Sequence, residues 1–215
     1  MEKYIKIINI IDKSGSMGSM KNTAISGFNE FINEQKEIEG NALVSTILFS
    51  TNHTVLYEDI NVKDCYELNN ENYITGGMTS LYDAICVNID KEIDKLGNLP
   101  LEERPEKTLC VILTDGEENS SKLYNKEKTK ELINEMRNGF KWEFIFLGAD
   151  ENASLTAETI GISKGNAYSF SNDSSGLKDA YNAVSFASTT MRSSSIGNVT
   201  MDSLMDDYRE NKKGV

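Results

Sequence analysis

The chain is poor in the residues that most catalytic and soft-metal chemistries require. Among 215 residues there are one histidine, one tryptophan, two prolines and three cysteines. The histidine, His53, has no cysteine or histidine near it in sequence, so neither a Ser-His-Asp set nor a His/Cys metal cluster can be built around it. Cys65, Cys86 and Cys110 are odd in number, scattered and without a CxxC pair. They read as small buried hydrophobes of a reducing compartment. Basic residues are also scarce: 22 Lys and Arg face 34 Asp and Glu, for a formal charge of -12. That balance, with no basic stretch carrying interleaved aromatics, argues against nucleic acid or anionic membrane as a partner. No apolar run is long enough to cross a bilayer, and the apolar N-terminal stretch is too short for a signal-peptide core. No phosphate-binding P-loop pattern occurs. The expectation is a cytoplasmic protein.

What is present is a regular alternation. Apolar runs over Tyr4 to Ile11, Leu43 to Phe49, Lys107 to Thr114 and Trp142 to Leu147 read as buried strands. A short return strand, His53 to Tyr57, is expected at an antiparallel edge, and a last short strand near Ala167 to Phe170. Helical spacing predicts helices over about Ser19 to Ile38, from Leu81 with Ser80 as N-cap, Lys126 to Asn138 closed by Gly139, Ala153 to Ile160, and Ser174 to Thr190. Glu58 to Tyr73 reads as turns. The expected architecture is an α/β, doubly wound, mostly parallel six-stranded sheet with one short antiparallel edge strand and helices on both faces. One domain is expected over 1–190. Residues 191–215 read as a C-terminal tail, flexible or with one short helix, because Ser193 to Ser195 and the charged stretch after Asp202 lack a periodic apolar face.

Three strand-end loops carry chemistry. The first strand runs into Asp12-Lys13-Ser14-Gly15-Ser16, where three oxygen-bearing side chains alternate. Gly76-Gly77-Met78-Thr79 precedes the Leu81 helix. Thr114-Asp115-Gly116 follows the third long strand. In an open α/β sheet the C-terminal strand ends form the ligand crevice, where these loops could converge. Taken singly, each is ordinary turn chemistry. Together they offer three hydroxyls and two carboxylates, hard donors that suit an octahedral Mg²⁺, Mn²⁺ or Ca²⁺ site. An ion held mainly by hydroxyls stays electrophilic and attracts an external carboxylate.

This ordered set, Asp12-x-Ser14-x-Ser16, then Thr79, then Asp115, resembles the von Willebrand factor A (vWA) domain with its metal-ion-dependent adhesion site (MIDAS). The resemblance covers about Tyr4 to Thr190. It implies a Rossmann-like fold, Ser14 and Ser16 as direct ligands, and Asp12 acting through coordinated water. It implies Thr79 as a ligand in the ligand-binding state, and Asp115 as a direct or water-mediated partner. It further implies a protein partner offering an Asp or Glu, with Mg²⁺ as the expected cofactor; that no enzymatic activity is expected rests on the missing catalytic residues. Cytoplasmic single-domain members resemble adaptors of multiprotein assemblies, including ones built with AAA+ ATPases.

Two other readings fit parts of the sequence. A Mg²⁺-dependent phosphatase of the haloacid-dehalogenase type would also begin with an Asp after the first strand, but it needs a second Asp where Ser14 stands. A structural component, for example of a phage particle, would act through the tail. Beside the loops, Glu117 and Glu118 read as a solvated pair or a second cation site. Met17, Met20 and Met78 flank the metal loops, either buried against the sheet or, if exposed, as an apolar rim. The Gly148-Ala149-Asp150 loop follows the fourth buried strand, and Trp142 and its neighbouring phenylalanines read as core.

Overall fold

The computed structural model describes residues 3–149, 152–171, 173–193 and 201–213. Asp150, Ser194 and Ser195 lie outside the described residues. Strand β1 (Tyr4–Asp12) is central. It pairs in parallel with β2 (Asn41–Phe49) on one side and β4 (Lys107–Thr114) on the other. β5 (Trp142–Gly148) and β6 (Ala167–Ser169) continue the parallel run, and β3 (His53–Asn61) closes the opposite edge antiparallel to β2. The order is β3-β2-β1-β4-β5-β6, six strands with five parallel and one antiparallel.

The strands are apolar on both sides because helices cover both faces. On β1, Ile5, Ile7 and Ile11 point to one layer and Ile8 and Ile10 to the other; β4 divides Leu109, Val111 and Leu113 from Cys110 and Ile112 in the same way. Each such fully buried aliphatic contributes on the order of 1.5–3 kcal/mol. The first layer holds α1 (Lys21–Glu37), α5 (Ser174–Ser193) and α6 (Met201–Lys213). The second holds α2 (Leu81–Asn98), α3 (Lys126–Phe140) and α4 (Ala153–Thr159). α1 and α5 approach closely at Gly27, where a Cβ would come 2.3 Å from the Tyr181 ring. All three cysteines are free and buried, and Trp142, Phe144 and Phe146 are core. No described helix is long and apolar enough to cross a membrane.

The structure differs from the sequence expectation at four places. β3 does not stop at Tyr57 but runs to Asn61. A bulge opposite Val44 and Thr46 and a left-handed Asp59 (φ 51°) let it continue. Ser45 Oγ accepts from the Asp59 N–H at 3.0 Å and donates to Asp59 Oδ1 at 3.1 Å. Gly139 does not end α3; Lys141, left-handed at φ 56°, does, and its N–H caps the Met136 carbonyl. Ser80 does not cap α2 with its side chain, because its hydroxyl donates to the Ser50 carbonyl instead. Finally, the segment after Met191 does carry a periodic face. Met201, Leu204 and Met205 of α6 are buried in the first layer, and Arg209 donates to the Gly165 and Ala167 carbonyls. Four apolar positions at i, i+3, i+4 and i+7, ending at Tyr208, are enough for a helix that packs on one side.

Candidate metal centre

The three loops meet where β1 and β4 end side by side. Asp12 is the last residue of β1 and is fully buried. Both carboxylate oxygens are occupied: Oδ1 accepts from the Ser14 N–H at 2.6 Å and Oδ2 from the Thr114 hydroxyl at 2.7 Å. The backbone carbonyl of Asp12 accepts from the buried Tyr73 hydroxyl. Asp12 therefore fixes the turn that lifts Ser14 and Ser16. Their hydroxyls lie 3.0 Å apart, and Ser16 Oγ donates to Asp115 Oδ1 at 2.7 Å.

Thr79 is delivered by the glycine loop. The Gly15 N–H donates to the Gly77 carbonyl at 3.0 Å, and the Gly76 N–H to the Lys13 carbonyl at 2.8 Å. These two bonds join the first loop to the second. Gly77 sits at φ 84°, and a Cβ there would come 2.9 Å from Thr51 Oγ1, so the position suits glycine on two counts. Asn119 then ties the second loop to the third. Its side chain accepts from the Thr79 N–H at 2.9 Å and its own N–H donates to the Thr79 carbonyl at 3.0 Å. The Thr79 and Ser16 hydroxyls face the same point: a methyl on Gly116 would lie 3.4 Å from one oxygen and 3.5 Å from the other.

All five residues singled out in the sequence, Asp12, Ser14, Ser16, Thr79 and Asp115, are thus in one cluster. Ser14 and Thr79 are buried and Ser16 is exposed, so the cluster opens to solvent on one side. Burial pushes the Asp12 carboxyl up to about 6, against the bonds from Thr114 and Ser14 that pull it down. Burial also raises Asp115, which the Ser16 hydroxyl partly offsets. Among the described residues no Lys or Arg pairs with either carboxylate. Two carboxylates held against hydroxyls in low dielectric, without a built-in cation, are a donor set that fits a hard divalent ion.

The sequence reading missed the supports. Thr114, noted only as the first residue of its loop, and Tyr73 and Asn119, which no motif marks, fix the clustered side chains in place. A threonine closing an otherwise apolar strand beside an Asp was the only available signal. The Glu117–Glu118 pair splits. Glu117 is exposed, but Glu118 is neither simply solvated nor free for a second cation. Its carboxylate accepts from the Ser120, Ser121 and Tyr82 N–H groups at 2.8, 2.7 and 3.0 Å and caps the start of α2. Asp83 acts alike on the N–H groups of Lys122, Leu123 and Tyr124. Met17 and Met20 are buried, as the packing alternative expects, and of the three methionines Met78, 53% exposed, faces solvent beside the site, with Ile74 nearby in sequence at 65%.

No family model matches the chain, and no curated protein matches it in sequence. Solved structures do match in fold. A von Willebrand factor type A protein from Catenulispora acidiphila aligns with TM-score 0.58 at 13% identity, over 87% of this chain and 43% of that one. Proximal thread matrix protein 1 of the mussel byssus, with a zinc-occupied MIDAS motif, aligns with TM-score 0.55 at 13% identity, over 86% and 46%. The manganese-loaded TRAP protein of Plasmodium vivax aligns with TM-score 0.54 at 18% identity, over 73% and 62%. The chain spans less than two thirds of each of these. At such identities the likeness shows the fold: this is a vWA-like α/β fold.

Proposed function

We propose that the chain is a metal-dependent protein-interaction module that captures an Asp or Glu side chain of a partner protein. One observation carries this: three hydroxyls and two carboxylates from three separate loops converge at a solvent-facing cluster whose two carboxylates, among the described residues, have no Lys or Arg ion partner. Ser14, Ser16 and Thr79 would hold the ion directly, with Asp12 and Asp115 contributing charge from just outside or at its edge. A divalent ion bound there would supply an electrophilic position for a carboxylate oxygen. The protein's own part is to fix the hydroxyls in advance, through the Asp12–Thr114 bond and the Gly15–Gly77 and Thr79–Asn119 ties, so that little ordering is left for the binding step. Met78 and Ile74 would give the partner an apolar rim. Metal-loaded structures of the same fold, one with zinc and one with manganese, support a divalent cation; magnesium is our choice on donor hardness.

We assign no catalysis. A phosphatase of the haloacid-dehalogenase type would need a second carboxylate at position 14, and the Ser14 hydroxyl there bonds to Ser16. The assembly reading loses support because α6 commits its apolar face to the core of the same chain.

The test is calorimetric titration of Mg²⁺ and Mn²⁺ into wild type, Asp12→Ala and Ser14→Ala. Saturable binding by wild type that both variants lose is the expected result, followed by metal-dependent recovery of a partner that chelator releases. Folded wild type that binds neither ion would overturn the proposal.

A further inference from the structure

A second site lies at the other end of the sheet. β1 carries Tyr4 and Asp12 at opposite ends, about 26 Å apart at about 3.3 Å per strand residue. Around Tyr4 is a cavity of about 490 Å³. That falls within the roughly 300–1,000 Å³ typical of small-molecule pockets. Leu43, Leu96, Leu99 and Pro105 supply apolar wall, and Tyr4, Asn41 and Asn61 polar groups.

Its charged lining is unusual for the base of a parallel sheet. Lys6 and Glu92 are each only 5% exposed. The Lys6 ammonium bridges Glu92 and Asp59, the latter at 2.5 Å. Lys95 completes the network, reaching Glu58 at 2.5 Å, Asp59 at 2.7 Å and Glu92 at 3.3 Å. The three carboxylates could in principle chelate a metal, but the Lys95 ammonium already occupies the position among them. Both lysines are therefore saturated and offer nothing to an incoming anion. Carboxylates remain in excess along the lining: Asp59, Glu92 and Glu103 stand against Lys6 and Lys95. Glu103 lines the cavity, is half-buried and makes no ion pair among the described residues. The Tyr4 hydroxyl, which donates to the Glu103 carbonyl at 3.1 Å, senses the same field. Its pKa is raised first by burial and then by the charges of Asp59, Glu92 and Glu103.

We propose that this cavity binds a small organic cation, its ammonium paired with Glu103 and its hydrocarbon body against Leu43, Leu96, Leu99 and Pro105. An organic anion would enter an acidic cavity whose lysines are already paired. A hydrated metal ion would leave the apolar wall unused. An amphipathic amine satisfies both the charge excess and the apolar wall.

Phenethylammonium is a suitable probe, titrated calorimetrically into the full chain, with phenylacetate and phenethyl alcohol as anionic and neutral controls of the same body. Saturable binding of the cation with preference over both controls is expected. Glu103→Gln should weaken it by about tenfold, the scale of one charge-assisted contact. Leu99→Trp, which fills the cavity from its wall, should abolish it. Mg²⁺ titration of the same samples should be unchanged, which separates this site from the metal loops. Absence of saturable cation binding by wild type, equal or tighter binding of phenylacetate, or undiminished binding in Glu103→Gln would each overturn the proposal. The Glu103 variant decides the matter should Leu99→Trp fail to fold.

Discussion

The two ends of β1 use the same kind of side chain and compensate it differently. At the C-terminal end, Asp12 and Asp115 are held by hydroxyls and N–H groups, with no basic partner among the described residues. At the N-terminal end, Asp59 and Glu92 have Lys6 and Lys95 built in. A carboxylate buried against neutral donors remains electrostatically incomplete and can accept a cation from outside. One buried against an ammonium is complete and resists exchange. The first end suits reversible binding; the second staples the edge strand β3 and helix α2 to β1, and among the described residues lining the cavity Glu103 is the carboxylate left without an ion pair.

The sharpest way to break this contrast is to remove the built-in cation. Lys6→Met should leave Glu92 buried with one partner fewer and cost about 3–5 kcal/mol, read as a lowered urea midpoint. Supplying the missing cation at the other end should work in the opposite direction. Mg²⁺ at a hundred times its dissociation constant should raise wild-type stability by about 2.7 kcal/mol, and should leave Ser14→Ala unmoved in the same thermal or urea assay.

Next in size are the pH responses, which should have opposite signs. Asp12 has a folded pKa raised to about 6. In chelator its contribution is therefore fully present below the unfolded value and is lost as pH rises through about 6, with a slope no steeper than about 1.4 kcal/mol per pH unit. Mg²⁺ affinity should fall over the same interval as pH drops and Asp12 protonates. For Asp59, burial alone would raise the pKa, but the bonds and charges of Lys6 and Lys95 outweigh it and hold the carboxyl below its ordinary value. Its contribution is present above the unfolded value and disappears as pH falls through the folded one. Urea curves between pH 3 and 7 (about the span of both transitions) for wild type, Asp12→Asn and Asp59→Asn would separate the two. A wild-type curve that Asp12→Asn leaves unchanged would remove the premise that this carboxylate is uncompensated.

The smallest effect is expected at Lys95. It and Glu58 are one third and one half exposed, so solvent screens the pair. Lys95→Met should cost less than about 1 kcal/mol in urea denaturation and leave Mg²⁺ binding intact. A loss comparable to that of Lys6→Met would mean that the network acts as one unit.

Much of the upper end was legible because its information is local. Asp12, Ser14 and Ser16 announce a polar turn after an apolar strand, and a strand's direction tells which end of the sheet it reaches. The order of the motif then matched a known spacing. The supports were not legible. Thr114 and Asp12 are joined across 102 residues, and Asn119 meets Thr79 across 40. Glu118 looked like an exposed acid until α2 was seen to begin at its carboxylate. The lower cavity was invisible for the same reason. Tyr4, Lys6, Asp59, Glu92 and Glu103 come from four separate segments, and each alone reads as a surface residue or strand filler. A short helix is one of the two expectations for the tail, but the apolar face of α6 was not legible, because four apolar residues in a charged stretch carry a weak periodic signal, whereas the core supplies the surface that makes them a face.

What the sequence by itself determined is the alternation of buried strands and amphipathic helices, hence the doubly wound sheet, and the residue types at its upper loops. These follow from apolar periodicity and turn chemistry, which act over a few residues. The tertiary structure alone decided which charges are paired. Lys6 lies on a central strand, and nothing local predicts that its ammonium will meet an acid from an edge strand and another from a helix. Pairing depends on distances of a few ångströms between segments remote in sequence, because Coulomb attraction in a buried site is strong only at contact range. For that reason the polar loops at the upper end could be read in advance, and the acidic cavity at the other end of β1 could not.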